Sequence, residues 1–325
     1  MTCLYQPVEV STLGGDWLKR YVERAVSEYQ SSIKCILPAG DFETKLKYLV
    51  GEELALKRKG YYLTIGFLDE PCKLCKSCTR PITCDNPLGR PHWGLIQDLR
   101  DKYDPKKGEG LLLIGPSLNE TLSSGCTDGS QHELAKIKDE IRSIYHINVY
   151  SLPANKLPIT WMTVLQCMYG CRVYSNFSRR WSCVPFCPNP DETKRIVSSY
   201  KHALILNKAF RPPIFSNRSW LGFNPLRDVE QKAWATYCYG NMNAIALRVE
   251  EFLAERGFTT YTYGMSPCHV CMKCTYPSEC KVLPKLRFSA DASGIDIYAS
   301  ARMAGVDFEI PPLRRVNLLE IILLK

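Results

Sequence analysis

Two distant stretches of this chain spell the same cysteine run, C-x2-C-x2-C-x5-C. One is Cys72, Cys75, Cys78 and Cys84; the other is Cys268, Cys271, Cys274 and Cys280. Cysteine fills 16 of 325 positions. At that frequency, three more cysteines at fixed offsets arise by chance in about one start in 10⁴. Finding the run twice excludes coincidence. A chain this long does not need disulfides to stabilise a small fold, and in a reducing compartment clustered thiols are metal ligands first.

The runs sit inside a wider repeat. Arg24–Tyr29 leads into the apolar stretch Ile33–Leu37, as Arg195–Tyr200 leads into Ala203–Leu206. Each pair reads as a helix end followed by a short strand. Next come the amphipathic segments Glu52–Gly60 and Glu250–Gly257, each ending in cations and a glycine, the chemistry that stops a helix. Strands at Tyr61–Ile65 and Thr260–Tyr263 then enter the cysteine runs, and Leu111–Ile114 and Leu318–Leu324 close the two units. The expected architecture is α/β, with mixed α+β as its variant: two similar modules carrying ferredoxin-like cysteine loops. The expected domains are 1–115 with one cysteine run, and 116–325 with two cysteine sets. Tyr29 to Cys72 is 43 positions and Tyr200 to Cys268 is 68, so the second copy carries an insertion, expected around 207–235.

The spacing bears on the metal. A structural zinc ion is a single point, usually held by two separated cysteine pairs. Three cysteines within seven residues crowd such an ion, whereas a [4Fe–4S] cubane offers several iron corners to a C-x2-C-x2-C loop. Two-cluster ferredoxins close that run with C-x3-C-P, and Cys183-x3-Cys187-Pro188 has that form. With Cys167 and Cys171 it makes a third set, for a third cluster or a zinc ion. The expectation is two or three [4Fe–4S] clusters, with zinc as the alternative. Cys84 and Cys280 either cap their own cubane, cross to a neighbouring one, or leave an iron open to substrate. Cys3, Cys35, Cys126 and Cys238 stand apart and read as packing residues.

The net charge of +9 raises the question of nucleic acid. Three four-thiolate sites at about −2 each would bring it to about +3, so no nucleic-acid partner is expected. Lys73, Lys76, Arg80, Lys273 and Lys281 interleave the runs, either favouring thiolate or lying solvated on loops. No G-x-G-x-x-G follows a strand and no G-x4-G-K-[ST] is present, so neither a dinucleotide site nor a phosphate loop is supported. No apolar run approaches the ~18–20 residues of a membrane span, and a cytoplasmic protein is expected. His269 reads as an exposed loop residue, Asp291 and Asp296 as helix caps, and Tyr61, Tyr62, Tyr261 and Tyr263 as core.

Cys167, Cys171, Ser182-Cys183-Val184-Pro185, Tyr200 before its strand, the run from Cys268 to Cys280, Arg287 and Gly294-Ile295-Asp296 together resemble the DUF2284 family of predicted metal-binding proteins. The resemblance covers roughly 160–310 well and the first half more faintly. It implies metal binding, of an iron–sulfur kind, with no settled reaction. Three functions stay open. One is an electron-transfer protein needing a redox partner or larger enzyme complex at each end. Another is an enzyme with an incompletely ligated cluster, and the last is a zinc-stapled interaction module.

Overall fold

The computed structural model describes residues 17–40, 42–61, 64–67, 102–115, 131–173, 180–211, 229–271, 273–309 and 314–325. The first cysteine run, with Lys73, Lys76 and Arg80, lies outside them, as do Cys3, Cys126 and Tyr62. Among the described residues are seven α-helices: α1 (Trp17–Val26), α2 (Phe42–Arg58), α3 (Gln131–Tyr145), α4 (Trp161–Val173), α5 (Pro190–Val197), α6 (Val229–Ala254) and α7 (Ile297–Met303). The strands are β1 (Ser31–Ile36), β2 (Thr64–Phe67), β3 (Glu109–Ile114), β4 (Asn148–Pro153), β5 (His202–Phe210), β6 (Thr260–Gly264), β7 (Phe288–Ser289) and β8 (Val316–Leu324).

They form a three-stranded sheet, β1-β3-β2, and a five-stranded sheet, β4-β5-β8-β6-β7. In the first, β3 lies between β1 and β2 and runs antiparallel to both. In the second, β8 lies between β5 and β6 and is again antiparallel to both. Helix, strand, helix, strand and a central closing strand thus recur with the same order and sense. Only the short β6–β7 pair is parallel, so the fold is the mixed α+β variant and not a doubly wound sheet.

The five-stranded sheet is buried on both faces, which is why its central strand β8 reads as an apolar run, interrupted between Leu318 and Leu324 only by Glu320. Side chains alternate across it with period two. Ala203, Ile205, Tyr261, Tyr263, Leu319, Ile321 and Leu323 join a core with Leu157, Val164, Met168 and Ile297. Leu204, Leu206, Leu318, Ile322 and Leu324 face the other way, against Leu134, Ile137 and Ile141 of α3 and Met242, Ala246 and Val249 of α6. Glu320 belongs by position to this second stripe.

The helix stops are where the sequence puts them. Gly60 (φ 98°) and Gly257 (φ 83°) take the left-handed conformation that ends α2 and α6. Asn189 opens α5 with a capping box: its side chain accepts from the backbone of Glu192, whose carboxylate accepts from the backbone of Asn189. Much of the insertion expected around 207–235 falls outside the described residues. Within them, β5 continues to Phe210 and α6 begins at Val229 and runs 26 residues against 17 for α2, so part of the extra length is helix.

The two halves touch through α1 and α4. Tyr21 stands edge-on to both Trp17 and Trp161, with centroids 5.5 and 4.8 Å away. Beyond α1, Glu28 Oε2 accepts the backbone N–H groups of Trp161 (2.6 Å) and Met162 (3.3 Å), at the otherwise unpaired start of α4. The helix that carries Cys167 and Cys171 is therefore capped by a residue from the other half.

Candidate metal centre

The loop after β6 carries Cys268, Cys271, Cys274 and Cys280, all half-buried. It is clamped from two sides. On one side lies the 180–187 segment. The buried Ser182 hydroxyl accepts the Cys268 N–H at 2.8 Å, and the Ser182 carbonyl accepts the Ser289 N–H at 3.0 Å. Arg180 Nη1 donates to the Cys268 carbonyl at 3.0 Å, and Trp181 Nε1 to the Ser278 carbonyl at 2.9 Å. The rings of Trp181, Phe186 and Tyr276 pack mutually, with centroids 5.0–5.2 Å apart. Helix α6 forms the other side. Asn243 Oδ1 accepts the His269 N–H at 2.8 Å, and Tyr239 stacks on the His269 ring.

Cys268 and Cys280 feel the neighbouring thiols. Burial pushes the Cys268 thiol up, backbone N–H groups of Arg287 and Val270 at its sulfur pull it down, and Cys280 and Cys271 raise it further. Cys280 is raised by burial, lowered by the Val282 N–H, and raised again by Cys274 and Cys271. Each thiolate formed here opposes the next, and a cation relieves that opposition. Backbone donors aimed at sulfur are one of the means by which a protein tunes a bound cluster. Among the described residues, no three His, Cys, Asp or Glu side chains gather closely enough to hold a metal ion.

The third set is arranged differently. Cys187, 2% exposed, lies in the core near Tyr261 and Tyr263, and its thiol donates to the Ala292 carbonyl at 3.3 Å. Burial pushes that thiol up to about 12. Cys183 is buried one turn away, its sulfur 3.9 Å from the Ser182 hydroxyl, and half-buried Cys167 packs against the Cys187 core. Cys171 is placed as a backbone position one turn beyond Cys167 on α4. The nine cysteines with described side chains, Cys35 and Cys238 included, are free thiols, and both of these are buried as packing residues.

His269 departs from its sequence reading. It is half-buried and stacked on Tyr239, not exposed, and burial holds its imidazole down at about 4. Asp296 does cap α7, accepting the Ala299 N–H at 2.8 Å. Asp291 makes no such cap; burial, then the nearby Asp296 carboxylate, push it up to about 7. Tyr261 and Tyr263 are core, as their strand positions imply.

Sequence reasoning missed Asn243 and Tyr239, whose pairing with the loop is visible only in three dimensions. It also passed over Glu320, although a charge inside Leu318–Leu324 is a readable signal. Glu320 is 1% exposed, and its Oε1 accepts from Asn243 Nδ2 at 2.7 Å. Burial pushes its carboxyl up to about 8.

No helix among the described residues is long and apolar enough to cross a membrane. No curated protein and no solved structure matches the chain. A family model described as "Predicted metal-binding protein (DUF2284)" matches residues 150–324. That span contains the second sheet from Tyr150 onward, the clamp, and every cysteine from Cys167 to Cys280. The chain belongs to the DUF2284 family of predicted metal-binding proteins.

Proposed function

We propose that this protein carries [4Fe–4S] clusters on its cysteine runs and relays electrons between a one-electron donor and a larger redox enzyme. The observation that carries the reading is the C-x2-C-x2-C-x5-C run from Cys268 to Cys280 on one clamped loop: four half-buried thiols, two of them with backbone N–H groups at sulfur and neighbouring thiols within electrostatic reach. Such a set suits a group several ångströms across better than a lone ion. Cys72, Cys75, Cys78 and Cys84 repeat the spacing and are assigned the same role.

When bound, the cluster supplies a one-electron redox couple. The rest falls to the chain. Trp181, Phe186 and Tyr276 pack together and brace one side of the loop. Ser182 and Asn243 fix the backbone at Cys268 and His269, so the sulfurs need not reorganise as charge comes and goes. Lys273 and Lys281 are exposed on the loop and suit a donor with an acidic face, whose association weakens with salt.

Anaerobic purification followed by iron, sulfide and zinc analysis tests the reading. Iron and acid-labile sulfide in equal amounts, with a brown chromophore, support it. A colourless protein carrying only zinc ends it.

A further inference from the structure

Glu320 is out of place by every local rule. It sits in the central strand of a sheet covered on both faces, opposite Leu206 on β5 and Gly264 on β6. Its second oxygen, Oε2, is buried and has no hydrogen-bond partner among the described residues. Gly264 leaves room for it: a Cβ there would come within 3.1 Å of Oε2. The other oxygen leads to the cysteine loop. The His269 backbone N–H can only donate, so Asn243 must turn its carbonyl to the loop and its amide to Glu320. One side chain thus joins the buried carboxyl to the residue after Cys268.

We propose that Glu320 is a proton-holding residue tied through Asn243 to the charge on the cysteine loop, taking up a proton as that loop becomes more negative and releasing it as the charge is withdrawn. This rests on the loop binding a metal group. In the reductive direction the electron comes from the one-electron donor and the proton from solvent. The new O–H bond forms at Oε2, and reversal breaks it. The positions agree with this assignment. Oε1 is occupied by an obligate donor, so the proton belongs on Oε2, where the structure provides no donor to compete.

Among the described residues, two charged groups act on Glu320. Helix α6 presents Glu250, which pairs with Arg287 from the segment following the loop. Glu250 raises the proton affinity of Glu320 and Arg287 lowers it, while β5 and β6 present leucine and glycine. Burial dominates, and the carboxyl is poised near neutrality at about 8. His269, held neutral against Tyr239, adds no competing charge at neutral pH.

The test is an infrared pH titration of the carboxylic-acid C=O band in metal-free, loaded and chemically reduced full-length protein. Glu320→Gln keeps the Asn243 contact and identifies the band by its loss, which separates it from Asp291. Glu320→Asp identifies it by a frequency shift should the glutamine variant fail to fold. The expected result is a band present at neutral pH, with a midpoint that rises by about one pH unit on loading and again on reduction. Absence of the band at neutral pH overturns the proposal, as does one midpoint common to all forms. If the protein loads only zinc, the electron-transfer reading fails, but the comparison still decides the role of Glu320. Four thiolates around zinc also carry about −2, so a shifted midpoint sustains the coupling and an unshifted one ends it.

Discussion

Replacing Ser182 by alanine removes one oxygen and reports on how the metal loop is held. The Ser182 hydroxyl is buried and accepts the Cys268 N–H at 2.8 Å, across 86 positions of sequence. Loss of a hydrogen bond that leaves a partly buried donor unpaired costs about 1–2 kcal/mol. For a cooperative unit the size of the family-matched region, that lowers Tm by roughly 2–8 °C. Metal binding should suffer as well, because Cys268 leads the run and its backbone orientation aims its sulfur. Substitutions that support a ligand without touching metal typically weaken metal binding by ~10–100-fold. The matched control is Ser199→Ala, whose exposed hydroxyl only bonds back to the Ile196 carbonyl. Thermal unfolding of metal-free protein and chelator competition on loaded protein give the two readouts. If Ser182→Ala and Ser199→Ala match in both, the clamp is not what holds the loop.

Three further outcomes follow from the same geometry. Gly294→Ala puts a Cβ at φ +87°, 2.7 Å from Pro190 Cγ and 2.9 Å from the Thr160 carbonyl. Left-handed strain and overpacking together cost about 2–5 kcal/mol, read as a lower denaturation midpoint, and an unchanged midpoint contradicts the packing described. Glu28→Ala uncaps α4 from the other half of the chain and should cost about 1 kcal/mol; equal urea midpoints for variant and parent would remove that contact from the account. Through Glu320, the metal-free protein should lose stability as pH rises. Glu320 is raised from 4.5 to about 8, so the folded state holds a proton that the unfolded chain has released. Its contribution is complete below about pH 4 and falls by about 1.4 kcal/mol per pH unit up to about 8. Urea midpoints at pH 5, 6.5 and 8 should fall more steeply in the parent than in Glu320→Gln, in which the opposed contributions of Asp291, raised to about 7, and His269, held at about 4, remain; parallel slopes contradict the assignment.

The sequence exposed local features more readily than long-range ones. The strand Leu318–Leu324, the glycine stops at Gly60 and Gly257, and the helix-then-strand pairs at 24–37 and 195–206 were legible because periodicity and backbone freedom act over a few residues. Reading the chain against itself suggested a repeated succession of helices and strands, but which strand lies at the centre of each sheet was visible only in the structure. The clamp was legible only as a motif: Ser182 carried the family resemblance, but its reason, the Cys268 N–H, lies 86 positions away. His269 was misread because its neighbours in sequence are loop residues, while its neighbours in space are Tyr239 and Asn243 of α6. Glu320 was visible as a lone charge in an apolar run, yet nothing local shows that an asparagine on a distant helix pairs with it.

X-ray absorption on protein loaded in the cell and kept anaerobic tests the central claim most directly. The account predicts an iron edge with a sulfur shell and a second shell of iron neighbours. In Cys268→Ser and Cys271→Ser variants that iron content should drop while the N-terminal run stays filled. A zinc edge with sulfur neighbours alone, or iron unaffected by those substitutions, contradicts it.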